Sequence, residues 1–388
     1  MGGRQRRKEM VVSSAGIVTI VGDTNFGNRL QNFALQEVLL SMGVDRVETI
    51  EGLPTGEAKS VKLARVASTA LERRAEYANR LLRRGDRPTR DVYTCPPERR
   101  RAIRDFTARH IHTSSERYER GQGGSRLSER FDHIIVGSDQ VWNPAFTHAN
   151  PEWFLDFASR EQRVAYAASF GIPSVPPYLA RQFRAGLHGF DRPSVREHQA
   201  VRVVEELTGA TPAVVLDPTM LLGSAKWEKL AEQPSSLVGE GYVATFMLSS
   251  GDGTTSDGAD LTAVRGYANE NLLQVVDLHD PVAGELLEMG PLGFIGAIKG
   301  AALVVTDSFH AAVFATLFHR PFLLVQRGAM NSRFETLLTH TGLSGRMLSE
   351  TQDFGRVFDI DWATVDARLE AQRTESMRFL QEGMSTGR

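Results

Sequence analysis

Short apolar, β-branched runs alternate along this chain with turn chemistry and with stretches of helical period. Residues 16–21 form such a run, Gly22-Asp23-Thr24-Asn25-Phe26-Gly27 interrupts it, and Leu30, Phe33, Ala34, Leu35, Val38 and Leu39 then recur at helical spacing. The pattern predicts a strand, a glycine-rich loop and a helix, and a second strand over 44–50 after Gly43 completes the start of a βαβ unit. Further strands are predicted over 133–136, 163–168 and 213–216, and Ser194-Val195-Arg196-Glu197 precedes a helix through about Thr208. A second set is predicted at 242–248, 274–277, 303–306 and 322–325, with helices between them, one of them over 311–318. The expected fold is α/β, with two Rossmann-like parallel-sheet domains facing a cleft.

A chain of 388 residues exceeds one ordinary core, so two domains are expected. The pattern places an N-terminal α/β domain over 14–192, a second over 193–362, and a C-terminal helical segment over 363–388 able to pack back on the first. Between 57 and 130, Lys and Arg outnumber acids by about two to one. Val61, Ala64, Leu71, Ala75, Ala78 and Leu82 make one helical stripe there. This basic insertion is read as a helix packing on its own domain, with docking to an anionic surface or lipid-linked substrate as the alternative. Residues 1–10 are basic, and the apolar stretch after them is too short and broken for a signal peptide or membrane span, so this end reads as a tag-like or disordered lead-in. A formal net charge of −2 argues against a nucleic-acid partner. Cys95 is the single cysteine and no Cys/His cluster has zinc spacing, so the expectation is a cytoplasmic protein with no structural metal.

The strongest chemical signal is Thr306-Asp307-Ser308-Phe309-His310, where a buried strand stops and a helix starts. Asp307 or Ser308 can cap that helix, leaving amides near Phe309 and His310 for a phosphate or carboxylate. Taken alone, the stretch is equally well a capped turn. Arg196, beside Glu197, has a guanidinium able to hold an anion bidentately, although an Arg-Glu pair at a helix start is commonly a surface feature. Asp217-Pro218-Thr219 closes a strand and lines the same cleft or simply turns. Asn25, Asn28 and Gln31 around Gly27, and Asp139, Gln140, Trp142 and Asn143, bring amide, carboxylate and indole groups suited to sugar hydroxyls and ring faces. Each cluster has turn-and-cap chemistry as its plain alternative.

In their order these segments resemble the polysaccharide pyruvyl transferase family. The matching stretches are Asn25-Phe26-Gly27-Asn28-Arg29-Leu30-Gln31-Asn32-Phe33-Ala34-Leu35-Gln36, Val136-Gly137-Ser138-Asp139-Gln140-Val141-Trp142-Asn143-Pro144, Tyr166-Ala167-Ala168-Ser169-Phe170-Gly171, Ser194-Val195-Arg196-Glu197, Leu216-Asp217-Pro218-Thr219 and Val305-Thr306-Asp307-Ser308-Phe309-His310. The resemblance implies a glycosyltransferase-B-like fold, phosphoenolpyruvate as donor, a sugar-containing acceptor and no cofactor or metal. Membrane association is expected only peripherally, if the acceptor is lipid-linked. Transfer leaves pyruvate as a ketal bridging two sugar hydroxyls and releases phosphate. Carried onto this chain, Arg196, Ser308, Phe309 and His310 would bind the donor. His310 is the implied acid, and the chemistry makes Asp139 the candidate base or hydroxyl-orienting group on the acceptor side. Asn25, Gly27, Asn28, Gln31, Gln140, Trp142 and Asn143 are the expected acceptor contacts. Ala311 stands where a glycine commonly follows the histidine. The rival readings are a nucleotide-sugar glycosyltransferase of the same fold and a non-catalytic binding member.

Overall fold

The computed structural model describes residues 14–56, 62, 95–119, 123–238, 241–248, 261–279, 284–326, 332–349 and 352–385. The basic lead-in and the stripe from Val61 to Leu82 lie outside them. Strand β1 (Ser14–Val18) leads through the predicted loop into helix α1 (Phe26–Ser41), and β2 (Arg46–Thr49) pairs parallel beside β1. Within the basic insertion, α2 (Pro97–His110) packs on α1. Then β3 (His133–Val136) and β4 (Arg163–Ala165) complete a parallel sheet of order β2-β1-β3-β4.

The next strands, β5 (Ser194–Val195) and β6 (Ala213–Val214), flank α3 (His198–Thr208) and pair parallel with each other. They were expected to open the second domain. Instead Ala168, just beyond β4, bridges both Asp139 and Val195, so β5 and β6 run on from the first sheet. Short helices α4 (Pro218–Leu221) and α5 (Ser224–Leu230) then lead to β7 (Tyr242–Phe246) and β8 (Gln274–Asp277). After α6 (Pro291–Gly300) come β9 (Leu303–Thr306), α7 (Phe309–Leu317) and β10 (Phe322–Leu324), giving a second parallel sheet of order β10-β9-β7-β8. Helices α8 (Ser332–Thr341) and α9 (Trp362–Gly383) close the chain. Helix α9 meets the first half through Ser376, whose hydroxyl accepts from Leu216 N at 3.0 Å, and through the Arg192–Glu382 pair at 2.7 Å.

Helix α1 joins the two halves. Of its 16 residues 13 are buried, more than a one-sided apolar stripe requires, because it is covered on several sides. Phe26 stacks on Phe294 of α6 with centroids 4.8 Å apart, and Leu30, Ala34 and Val38 belong to the same core as Val304 and Phe314. The amides carried inside each donate to a partner, while Gln31 Oε1 and Asn32 Oδ1 are enclosed without one. Gln31 donates to Thr19, Asn32 to Thr49, and Gln36 to the carbonyl of His110. Opposite α1, Arg99 of α2 donates to the carbonyls of Leu278, His279 and Leu286 beyond β8. Among the described residues no helix is long and apolar enough to cross a membrane.

Helices α3 and α8 also touch. His198 N donates to Thr336 Oγ1 at 3.0 Å, and the His198 and His340 rings lie 5.6 Å apart. Burial first, and then the neighbouring His198, push His340 down to about 4. An unfolded histidine titrates near ~6.5, so below that pH the unfolded chain takes up a proton that folded His340 refuses. Stability is therefore expected to fall as pH drops from about 6.5 towards 4. Urea midpoints at pH 7 and pH 5 test this: His340→Gln should narrow the difference, and an unchanged difference would exclude the assignment.

Candidate active site at the meeting of two sheet edges

In a parallel sheet every strand ends on the same edge, so the turns after β1, β3, β5 and β6 gather there. The second sheet contributes the turn after β9. The strand-to-helix turn predicted at 306–310 forms. Ser308, and not Asp307, caps α7, its hydroxyl accepting from Ala311 N at 3.5 Å. Asp307 is used elsewhere, accepting from Leu248 N at 2.6 Å, and Thr306 Oγ1 ties β9 to the carbonyl of Phe246. The Phe309 and His310 amides find no partner among the described residues and stand at the positive end of the helix. The methyl of Ala311 is fully enclosed in the core.

His310 reaches across to the first half. An ideal Cβ placed on Gly27, in the first turn of α1, would lie 2.1 Å from His310 Nδ1. Glycine is thus required here for close approach. Gly27→Ala is expected to displace the imidazole and reduce turnover by at least tenfold, with a change in unfolding free energy of about 1–3 kcal/mol from overpacking. Steady-state assay beside urea unfolding checks this; wild-type turnover would show that the ring does not act from this position.

Beneath His310 lies a buried ionic cluster. Asp217 is completely enclosed, and its Oδ2 lies 3.7 Å from His310 Nε2, 2.7 Å from Arg196 and 3.0 Å from Ser138 Oγ. Its Oδ1 accepts from Thr219 N and Oγ1 at 3.0 and 2.7 Å. Burial alone would raise the Asp217 carboxyl, but His310, Arg196 and Thr219 together hold it well below the usual carboxylate range. Arg196 spans to Asp139 at 3.4 Å, and its guanidinium carbon lies 4.6 Å over the Phe309 ring. Burial opposes the Arg196 charge, yet Asp217, Asp139 and Glu197 outweigh it and raise its pKa. Asp139 adopts φ 73 and also accepts from Asn28 Nδ2. Arg29 adds a second enclosed guanidinium, lowered to about 10 by burial, which outweighs the raising pull of Glu51 and Asp139.

This geometry brings together His310, Arg196, Asp139, Asn28 and Gly27 from the sequence expectation, and it corrects several other residues. Arg196 has 1% of its side chain exposed and donates to two aspartates, with Nε enclosed and unpartnered, so its guanidinium is turned onto acids and not out to the cleft as a donor ligand. Trp142 is 0% exposed; its indole donates to Trp153 O and its ring packs among Phe154, Phe170 and Phe190, so it offers no face to a sugar. Asn143 is a helix cap buried against Gln140, and Gln140 itself fills the space beside Gly171. Gln31 is fully buried on Thr19 and the Asn28 carbonyl. Asn25 alone of the acceptor set is exposed, as the cap of α1. A groove of about 280 Å³ between α2 and the start of α6 has none of these residues in its lining.

Sequence reasoning gave Ser138 and Arg333 no role, and Asp217 no more than a place at the cleft or in a turn. Asp217 carried a signal, a strand-ending acid before Pro218. Arg333, half-buried at the start of α8, approaches Phe309 to 6.0 Å, but belongs to no pattern in the chain.

Two parallel sheets meeting at their carboxyl edges over an open helix start define an α/β protein of glycosyltransferase-B-like layout. Its family model is that of polysaccharide pyruvyl transferase, matched over residues 25–327, and the chain belongs to that family. No curated protein matches it. Among solved structures it is similar to the UDP-GlcNAc 2-epimerase of Methanocaldococcus jannaschii (11% identity, 93% of each chain, TM-score 0.41). It is also similar to S. aureus MnaA (12%, 93% of this chain and 90% of that one, 0.44) and to the spinosyn forosaminyltransferase SpnP (11%, 97% and 96%, 0.36).

Proposed function

We propose that the protein transfers the pyruvyl group of phosphoenolpyruvate to two hydroxyls of a sugar-containing acceptor, forming a ketal and releasing phosphate. The carrying observation is the start of α7, where the open Phe309 and His310 amides adjoin an imidazole held beside Asp217. The donor phosphate or carboxylate sits at that helix start, with Ser308 framing it and Arg333 supplying a cation. His310 protonates the methylene carbon, which makes C2 electrophilic. One acceptor hydroxyl adds to C2, phosphate leaves, and the second hydroxyl closes the ketal. Asp139, beside Asn28 at the edge of the first sheet, orients the acceptor from the opposite side, with Asn25 at the mouth.

The test is mass spectrometry of reactions containing phosphoenolpyruvate and a panel of glycan acceptors, paired with a phosphate-release assay. A pyruvyl ketal mass together with acceptor-dependent phosphate is the expected result. Tighter calorimetric binding of a nucleotide sugar than of phosphoenolpyruvate, with no ketal formed, would replace this reading by glycosyl transfer.

A further inference from the structure

Asp217 has an unusual position for a charged residue: it is wholly enclosed, and it touches no cleft. Thr219 occupies Oδ1 through both its amide and its hydroxyl, which fixes the carboxylate plane and turns Oδ2 towards Arg196, Ser138 and His310. The His310 nitrogen facing Oδ2 is Nε2, and it is buried without a hydrogen bond. A bare Nε2 lone pair against an ionised carboxylate would be repulsive, whereas an Nε2–H is attracted to it. Asp139 and Glu197 add further negative charge around Arg196, so that guanidinium does not cancel the pull of Asp217 on the ring.

The other ring nitrogen lies on the Gly27 side. Nδ1 is bonded to the ring carbon attached to Cβ, so it is the nitrogen nearer the His310 backbone, and unlike Nε2 it is not among the enclosed unpartnered atoms. Where Gly27 has no side chain, any other residue would place a carbon 2.1 Å from Nδ1.

We infer that Asp217 is the positioning residue for His310, holding the ring with its proton on Nε2 so that Nδ1 is the nitrogen that delivers the catalytic proton. The ring orientation stands on geometry alone; the destination of the proton rests on the pyruvyl-transfer reading. In that reaction the ring first takes a proton from solvent at Nδ1, keeping the one on Nε2, and the Nδ1 proton passes to the methylene carbon of phosphoenolpyruvate and makes it a methyl group. The first acceptor hydroxyl bonds to C2 and returns its proton to Nδ1. The bond from C2 to the phosphate oxygen breaks, and phosphate departs with the proton of the second hydroxyl as that oxygen closes the ketal. Asp217 keeps its charge throughout.

Histidine-selective ¹⁵N labelling with two-bond ¹⁵N–¹H correlation reads the tautomer directly, the His310 signals being assigned by their loss in His310→Gln. The ligand-free wild-type protein is expected to show the Nε2–H form, and Asp217→Asn to lose that preference. In the same variant, kcat for phosphate release should fall by roughly 10²–10⁴-fold while KM for phosphoenolpyruvate changes only a few-fold. Thr219→Val, which removes one of the two bonds to Oδ1, should fall between the two proteins in both readouts. A wild-type ring in the Nδ1–H form overturns the inference whether or not Asp217→Asn folds. An Nε2–H ring in a protein that releases no phosphate with any acceptor supports the pairing and overturns the pyruvyl-transfer reading instead.

Discussion

Replacing His310 with alanine should lower acceptor-dependent phosphate release from phosphoenolpyruvate by roughly 10²–10⁴-fold, the range contributed by a positioned general acid. The imidazole is 7% exposed and its Nε2 has no hydrogen-bond partner, so its removal takes an electrostatic neighbour from Asp217 but no hydrogen bond. Asp217 keeps Arg196, Ser138 and Thr219 as partners, and the helix cap at Ser308 is untouched. The variant should therefore fold, with a stability loss of about 1–3 kcal/mol from the space the ring leaves. Donor binding should survive in part, since the Phe309 and His310 amides belong to the backbone. Calorimetric titration with phosphoenolpyruvate separates these effects from turnover. Retention of more than a third of wild-type turnover would remove His310 as the acid.

The second large effect is expected on stability. Arg196→Ala should cost about 3–5 kcal/mol, the range for breaking a buried ion pair by removing one partner. Asp217 and Asp139 would both lose their guanidinium inside the protein, and Phe309 the cation above its ring. Against a total stability of ~5–15 kcal/mol, such a loss is sufficient to empty much of the folded state at 37 °C. Arg196→Lys should recover only part of it, because a single ammonium cannot bridge two carboxylates as a planar fork does. Urea unfolding of the three proteins decides the matter. A loss below about 1 kcal/mol, accompanied by a raised KM for phosphoenolpyruvate, would return Arg196 to the role of donor ligand that the sequence indicated.

The two residues show where sequence reasoning reached and where it stopped. At His310 the neighbours in sequence are also the neighbours that shape the turn: the strand end, the cap and the helix start occupy consecutive positions, so the strand-to-helix turn at 306–310 is legible directly. Arg196 has its partners 57 and 21 positions away, at Asp139 and Asp217. Nothing local distinguishes a guanidinium that faces an anion from one enclosed between two acids. Trp142 illustrates the same difficulty for an aromatic, since an indole beside polar residues is described equally well by a sugar platform and by the core. Its setting became clear only once Phe154, Phe170 and Phe190 were found around it.

Gly27 is the reverse case. The glycine was visible as turn chemistry at the head of α1, but the reason for it lies 283 positions away in the ring of His310. Likewise β6 is legible as a short strand whereas β5 is not, and the continuity of both with the first sheet depends on the single bridging residue Ala168.

By itself the sequence determined the succession of parallel strands and helices, a helix start capped at Asp307 or Ser308, the histidine just beyond it, and the family to which the chain belongs. These rest on periodicity and on hydrogen-bonding needs satisfied within a few residues. The tertiary structure decided which charged groups face one another and which face the cleft. Electrostatic pairing and desolvation depend on distance through space, and it is the meeting of the two sheet edges across α1 that brings Gly27, His310, Asp217, Arg196 and Asp139 together.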